Sequence, residues 1–436
     1  MKRYVAAMRR LVVLSLCVAL AAAACTDGDD DTAGSTTTLA TTVTTTVATV
    51  TATQAAGVPA STTAAATTTP VAPTTLPATE ASTPTSAPAR VYDLSAVEPI
   101  MADFVAEHDL NGAGLVVVEP GHGIVYEHYV GEFGPERISL VASATKMVTA
   151  GVLMHLADQG LLDPEQPIAE YVPWAAGHNP DVTVADLVSN ASGLVGLLPE
   201  PGYLPYVCQF LADAELETCA ESIWTTSDDD ADVVPPRTEY RYGGAQWQIA
   251  GAVAETVSGK PWSELLDEIY IEPCGVESLG YTNHWAQLGG GGFAYPAEFD
   301  GDLSLLAPTE NPHMEGGLYI TPRDYAELLL VQLRGGRCGD TQVFSADALE
   351  TMHTDRLAPF GGATQTGTGY GWGWWIERDG SSRITDPGAY GAVPWLDLDG
   401  GFGAYLVLES DATLGIVLAS QLFDPVESAI TLARKD

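Results

Sequence analysis

Ser143 and Lys146 stand three residues apart in the run Ser143-Ala144-Thr145-Lys146. On a helix, positions i and i+3 share a face, so this spacing can bring an amine to a hydroxyl. A serine hydroxyl is a poor nucleophile at neutral pH and needs a base within hydrogen-bond reach. Lys146 can be that base if burial lowers its pKa enough to leave some neutral amine, and the surrounding sequence predicts such burial. Met147 to Gln159 is apolar on nearly every face and is closed by Gly160, the pattern of a buried helix. Lys146 is also one of only three lysines beyond the N-terminal segment. Ser-x-x-Lys by itself recurs by chance, so the rest of the chain must supply the context.

That context is a series of segments in a fixed order. Leu161-Leu162-Asp163-Pro164 comes first, then Tyr171-Val172-Pro173, Thr183 to Leu194, Pro273-Cys274-Gly275-Val276, Gly316 to Thr321 and Tyr370-Gly371-Trp372-Gly373. Together with Ser143 and Lys146 they resemble, over residues 91–436, the serine β-lactamase and penicillin-binding-protein-like hydrolases. The resemblance implies a β-lactamase/transpeptidase-like α/β fold, with an antiparallel sheet built from both chain ends, flanking helices and a mainly helical subdomain. It implies catalysis through an acyl-enzyme on Ser143, with no metal or organic cofactor.

The coarse path of the chain agrees with an α/β pattern. Helices are expected at 94–107, 184–188, 245–258, 262–270, 322–335 and 346–353, and a hairpin at 114–126 around Pro120-Gly121. At the C-terminal end, Ala404 to Glu409 and Leu414 to Ser420 read as adjacent strands turning at Ser410 and Asp411, followed by a last helix from Pro425 to Arg434.

The family's second element is Tyr-x-Asn, and the matching segment is Tyr242-Gly243-Gly244. Tyr242 stands where a phenol relays protons between serine, lysine and leaving group. Gly244 stands where the asparagine amide should be, which removes a substrate hydrogen-bond donor. The third element, Lys-Thr-Gly or His-x-Gly on a sheet edge, is best matched by Asp386-Pro387-Gly388-Ala389. The Ala389 N–H would join that of Ser143 in an oxyanion hole, with Gly388 as the motif glycine. Pro387 lacks an N–H and suits an edge strand.

Asp386 reverses the charge of that motif. If it faces substrate, it repels a carboxylate by roughly 4 kcal/mol at 4 Å and an effective dielectric near 20. β-Lactams and D-Ala-D-Ala ends are then poor substrates, and neutral esters or amine-bearing amides fit better. If instead it faces solvent or pairs with Arg383, other loops set specificity.

Other chemistries find little support. The chain has no His-Glu-x-x-His and no Gly-x-Ser-x-Gly, and Gly259-Lys260 lacks the phosphate-loop context. Asp228, Asp229, Asp230 and Asp232 suit a solvated loop better than a calcium site. Trp372, Trp374, Trp375 and Trp395 could line a groove, but core packing accounts for at least half of them.

The N-terminus carries Lys2, Arg3, Arg9 and Arg10 before an apolar run from Leu11 to Ala24, the pattern of a secretory signal over residues 1–24. Cys25 follows Ala22-Ala23-Ala24 as in a lipoprotein cleavage site, which predicts lipidation and a membrane anchor outside the cytoplasm; plain secretion is the alternative. Residues 25–90, rich in Thr, Ala and Pro, form the expected linker, able to reach on the order of 200 Å if extended. Residues 91–436 are the catalytic domain. Four cysteines remain there, an even number that in an oxidising compartment predicts two disulfides. Of three pairings, Cys208–Cys219 with Cys274–Cys338 is favoured, because the first pair closes a short loop. The formal charge of −39 argues against nucleic acid or anionic lipid as partners.

The expected function is an extracytoplasmic serine hydrolase acting on a small-molecule or peptide ester or amide. Two alternatives stand beside it. One is an inactive relative that binds wall peptide or a protein; the other is an aminopeptidase whose Asp386 pairs with a substrate amine.

Overall fold

The computed structural model describes residues 90–197, 204–226, 232–288 and 294–435. The signal segment, Cys25, the linker up to residue 89 and Asp228 to Asp230 lie outside the described residues.

Seven antiparallel strands form the main sheet. In chain order they are β1 (Gly112–Glu119) and β2 (Gly123–Gly131) from the first part of the chain, and β8 (Gly369–Tyr370), β9 (Trp375–Ile376), β10 (Arg383–Thr385), β11 (Val393–Asp397) and β12 (Phe402–Val407) from the last. Their spatial order is β2-β1-β12-β11-β10-β9-β8, so the two chain ends meet where β1 pairs with β12, Val116 opposite Tyr405. A smaller sheet joins β3 (Ser139–Leu140), β5 (Leu318–Ile320) and β4 (Gly280–Tyr281), and β6 (Arg337–Cys338) pairs with β7 (Thr341–Gln342).

β1 is buried along its whole length. A strand covered on both faces reads as a continuous apolar run, and Leu115-Val116-Val117-Val118 is one. Leu115 and Val117 point into a core shared with helix α1 (Val97–Glu107) and the C-terminal helix, while Val116 and Val118 join the larger core on the other face. That larger core contains α2 (Lys146–Asp158), α3 (Val184–Val188), α4 (Leu216–Thr225), α5 (Ala245–Ser258), α6 (Trp262–Leu266), α7 (Pro322–Leu333) and α8 (Ala346–His353). After α6 the chain passes through a π-helical turn, Asp267–Ile271.

The C-terminal expectation is corrected. Leu414 to Ser420 is no strand but the first half of α9, a single helix over Ala412–Ala433. The buried positions 412, 415, 418, 419, 422, 426, 429, 430 and 433 follow steps of three and four residues. Asp411 caps the helix by accepting the Leu414 N–H at 3.0 Å. The proline at 425 reads in sequence as a helix start, but it lies inside this helix. α9 is long and apolar enough to cross a membrane, yet Leu418, Leu422, Val426 and Ile430 are spent on the core beside β11 and β12.

Both disulfides form with the favoured pairing. Cys208 joins Cys219, and Cys274 joins Cys338, tying the chain after α6 to β6.

Candidate active site

The nucleophile's turn is built before its helix begins. Ala142–Thr145 is a 3-10 turn that runs directly into α2, and the Lys146 N–H donates to the Ser143 carbonyl. With three residues per turn, positions i and i+3 eclipse, so Ser143 and Lys146 leave this turn in the same direction. The turn is clamped from three sides. Val141 N–H donates to Leu318 O at 3.1 Å, Leu318 N–H to Thr145 Oγ1 at 3.1 Å, and the Tyr325 hydroxyl to Ala144 O at 2.7 Å. Ala142 is held at φ +46°, a left-handed conformation that costs a residue with a Cβ about 1–2 kcal/mol. This is strain placed immediately before the nucleophile.

Lys146 is fully buried and Ser143 half-buried. The Lys146 ammonium lies 2.8 Å from Glu315 Oε2, off-line for a hydrogen bond but at ion-pair distance, and it donates to the Glu315 carbonyl at 3.2 Å. It also lies 4.4 Å from the centre of the Tyr242 ring. The expectation that burial frees the amine is reversed. Burial does pull the Lys146 pKa down, but the Glu315 carboxylate beside it outweighs this and moves the group above the ordinary lysine range. Lys146 is an ammonium at neutral pH. Burial raises the Tyr242 phenol while the Lys146 charge lowers it; the net direction is up, leaving a neutral phenol able to donate.

Tyr242 precedes α5, with Tyr240, Tyr370 and Trp375 around its ring, Trp375 at 5.7 Å between ring centres. Of the four candidate groove tryptophans, Trp372, Trp374 and Trp395 are core residues and Trp375 alone stands beside Tyr242.

Gly388 sits against the nucleophile's turn. A Cβ there would lie 2.0 Å from Val141 O and 3.2 Å from Ala144 N, so only glycine permits this approach. Ala389, next in the chain, packs in one cluster with Ala142, the residue before Ser143. Among the described residues neither the Ser143 nor the Ala389 N–H donates to a backbone or side-chain acceptor. Backbone amides left without an acceptor in this way are the donors an oxyanion hole needs.

Asp386 does not face substrate as the charge-reversal argument required, nor does it pair with Arg383. It is fully buried, and its Oδ2 accepts the Met147 N–H at 3.2 Å. Met147 lies in the first turn of α2, whose N–H groups have no partner within the helix, so the third motif caps the helix that carries Lys146. Burial, only partly offset by Lys146 and the Met147 N–H, pushes the Asp386 carboxyl well above the usual carboxylate range. Arg383 instead lies over the Phe423 ring at 4.0 Å and reaches Glu427 at 3.9 Å.

Sequence reasoning missed Glu315. It directly precedes the Gly316-Gly317 landmark, but one acid among 57 Asp and Glu residues carries no signal of its own. The structure also fills the gap at Gly244. A Cβ there would lie 2.4 Å from Glu315 Oε1 and 2.2 Å from Gln209 Oε1.

The family model described as Beta-lactamase matches residues 97–436. The chain belongs to the beta-lactamase family, the serine-hydrolase family its motifs resemble. It is 25% identical over 199 residues to the D-alanyl-D-alanine-carboxypeptidase/endopeptidase AmpH of Escherichia coli (strain K12), covering 42% of this chain and 49% of AmpH. It is 24% identical to the 6-aminohexanoate-dimer hydrolase of Paenarthrobacter ureafaciens, covering 62% and 66%. The chain thus spans about half of AmpH and just under two thirds of the dimer hydrolase. The crystal structure of a putative beta-lactamase from Bacteroides dorei DSM 17855 shares the fold, with a TM-score of 0.61 and 24% identity over 77% of this chain and 99% of that one. The beta-lactamase fold is therefore that of this chain.

Proposed function

We propose that this beta-lactamase-family protein is an extracytoplasmic serine hydrolase that opens an ester or amide through an acyl-enzyme on Ser143. The observation that supports the reading is the approach of Gly388 to Val141 and Ala144, which packs the third motif against the nucleophile's turn, with the Ser143 and Ala389 N–H groups left without a protein acceptor among the described residues. Ser143 Oγ attacks the carbonyl carbon as its proton passes to Lys146 Nζ, which gives up one of its own protons to the Glu315 carboxylate beside it. The two amides hold the oxyanion, Tyr242 supplies a proton to the leaving group, and water then releases the acyl group.

The preferred substrates are neutral esters or amides, with β-lactams and D-Ala-D-Ala ends disfavoured. Support comes from the charges at the site: Asp386 occupies the third motif in place of a cation and is buried on the Met147 N–H, and the Lys146 ammonium is already matched by Glu315. A substrate carboxylate therefore lacks a counter-charge, worth about 2–5 kcal/mol when buried and paired. The names of the relatives, a carboxypeptidase/endopeptidase and an amide-dimer hydrolase, keep amide substrates in view. The two disulfides fit an oxidising compartment. Anchoring through a lipid on Cys25, with the linker as tether and the membrane as partner, completes the proposal, and palmitate-analogue labelling tests it.

The test of substrate class compares kcat/KM of the purified protein on p-nitrophenyl butyrate, on amine-free and amine-bearing anilides and on a cephalosporin. The ester is expected to be turned over fastest, with the cephalosporin roughly 30-fold or more behind. Efficient cephalosporin hydrolysis contradicts the proposal, and a strict preference for the amine-bearing anilide moves it to an aminopeptidase.

A further inference from the structure

We propose that Glu315 replaces the missing side chain at position 244, as the positioning residue that holds Lys146 against Ser143 and Tyr242 and receives the nucleophile's proton through it. The inference rests on the serine-hydrolase reading and adds a base to it.

The geometry argues this from two directions. The first is space. A methyl group at 244 would meet Glu315 Oε1 at 2.4 Å and its carboxyl carbon at 2.7 Å, so the volume that a side chain on the Tyr-x-Asn element would occupy is already filled by a carboxylate arriving from the chain before β5. The space beside Gly244 is thus held by the ends of the Glu315 and Gln209 side chains, and a larger residue at 244 must displace both. Gln209 closes the rest of the gap, its Nε2 donating to Tyr206 O at 3.0 Å.

The second direction is charge. Glu315 is 6% exposed and its partner Lys146 is wholly buried, 2.8 Å away. Two charges taken from water at such a site are retained only when each compensates the other. Lys146 approaches Glu315 twice, at Oε2 and at the carbonyl oxygen, which fixes the ammonium in one place above Tyr242. A lysine so held is a permanent donor and cannot accept a proton while keeping all its own.

The proton path follows. As the Ser143 Oγ–H proton moves to Nζ, Nζ turns into line with Glu315 Oε2, 2.8 Å away, and gives it one proton. The Oγ lone pair forms the bond to the acyl carbon, and the carbonyl electron pair moves onto the oxygen facing the Ser143 and Ala389 amides. Collapse breaks the bond to the leaving group, which takes its proton from Tyr242; Tyr242 recovers one from Nζ, and Nζ recovers its own from Glu315. The pair begins and ends as ammonium and carboxylate, with no proton gained or lost. In a site shielded from water this exchange needs no solvent reorganisation, and positioned acid–base groups of this kind contribute about 10²–10⁴-fold.

The experiment is a double-mutant cycle at positions 244 and 315, read by p-nitrophenyl butyrate hydrolysis and melting temperature. Glu315→Gln, which keeps the volume and removes the acceptor, is expected to lower kcat by about 100-fold or more with little change in KM, and to move the acid limb of the kcat profile. A packing role alone would leave that limb where it was. In a Gln209→Ala background, which removes the other atom a Cβ at 244 would meet, Gly244→Ala pushes the carboxylate off Lys146 and is expected to cost at least about tenfold in kcat, whereas with Glu315→Ala added it should cost less than about threefold. Equal effects of Gly244→Ala in both backgrounds, or a Glu315→Gln enzyme with wild-type kcat and pH profile, overturn the proposal. If a Gly244 variant fails to fold, the Glu315→Gln pH profile decides alone. A wild type that turns over no ester sinks the hydrolase reading instead. The coupling then still shows in melting temperatures in the Gln209→Ala background, with Gly244→Ala destabilising only where Glu315 is present, and its absence there overturns the steric exchange.

Discussion

Lys146→Met is expected to abolish most of the activity and much of the stability together. The activity loss should be about 10²–10⁴-fold in kcat/KM on an ester, the worth of a positioned proton-transfer group. The stability loss has a separate origin. Removing the cation leaves the Glu315 carboxylate buried without compensation, and breaking a buried pair from one side costs about 3–5 kcal/mol. The second substitution Glu315→Gln separates the two effects. Lys146→Met/Glu315→Gln should recover most of the melting temperature, because no unpaired charge remains, and none of the activity. The sign with pH is fixed by the direction of the Lys146 shift. Its pKa is raised on folding, so the pair's contribution is fully present below the free-lysine range and is lost only as pH rises above it. Between pH 6 and 9 the stability difference between the wild type and the double variant, which has no unpaired carboxylate, should therefore be flat, and a steep change across that range contradicts the assignment.

Asp386→Asn is expected to stabilise the protein, increasingly so towards alkaline pH. A carboxyl whose pKa is raised on folding binds more protons in the folded than in the unfolded chain, so stability falls as pH rises from the ordinary carboxylate pKa to the folded one. The slope is about 1.4 kcal/mol for each pH unit in that window. Asparagine keeps an oxygen for the Met147 N–H and removes the titration. Melting temperatures of wild type and variant should nearly coincide at pH 4.5 and diverge at pH 7.5 with the variant higher. Because Asp386 caps α2 rather than touching substrate, KM for a neutral ester should hold. A variant that loses stability at pH 7.5, or whose carboxylate-bearing substrates improve selectively, would return Asp386 to the role of a substrate-facing charge.

Much of the fold was legible in the sequence because it depends on local signals. The hairpin of β1 and β2, the helices beginning near Val184, Ala245, Pro322 and Ala346, and the apolar stretch that becomes α2 are set by periodicity and by caps such as Thr321 and Ser345, which accept the Asp324 and Ala348 N–H groups at 3.3 and 3.0 Å. α9 was misread for a local reason. Leu414 to Ser420 is too apolar to separate a buried strand from a buried helix, and Pro425 imitates a helix start.

What the sequence withheld about the site was partner identity. Burial of Lys146 was legible, but the direction of its pKa depends on Glu315, which is 169 residues away in the chain. Gly244 showed a missing side chain and not what fills the space. Asp386 showed a charge and not which way it points. In each case the deciding contact joins segments that only the folded sheet and helices bring together.

The most direct measurement of the central claim is intact-mass analysis of the purified protein after exposure to a fluorophosphonate, beside Ser143→Ala. One adduct is expected on the wild type, mapped to Ser143 by peptide digestion, and none on the variant. An unlabelled wild type, or an equal adduct on both proteins, contradicts an activated Ser143 and leaves the inactive, peptide-binding reading of this fold in its place.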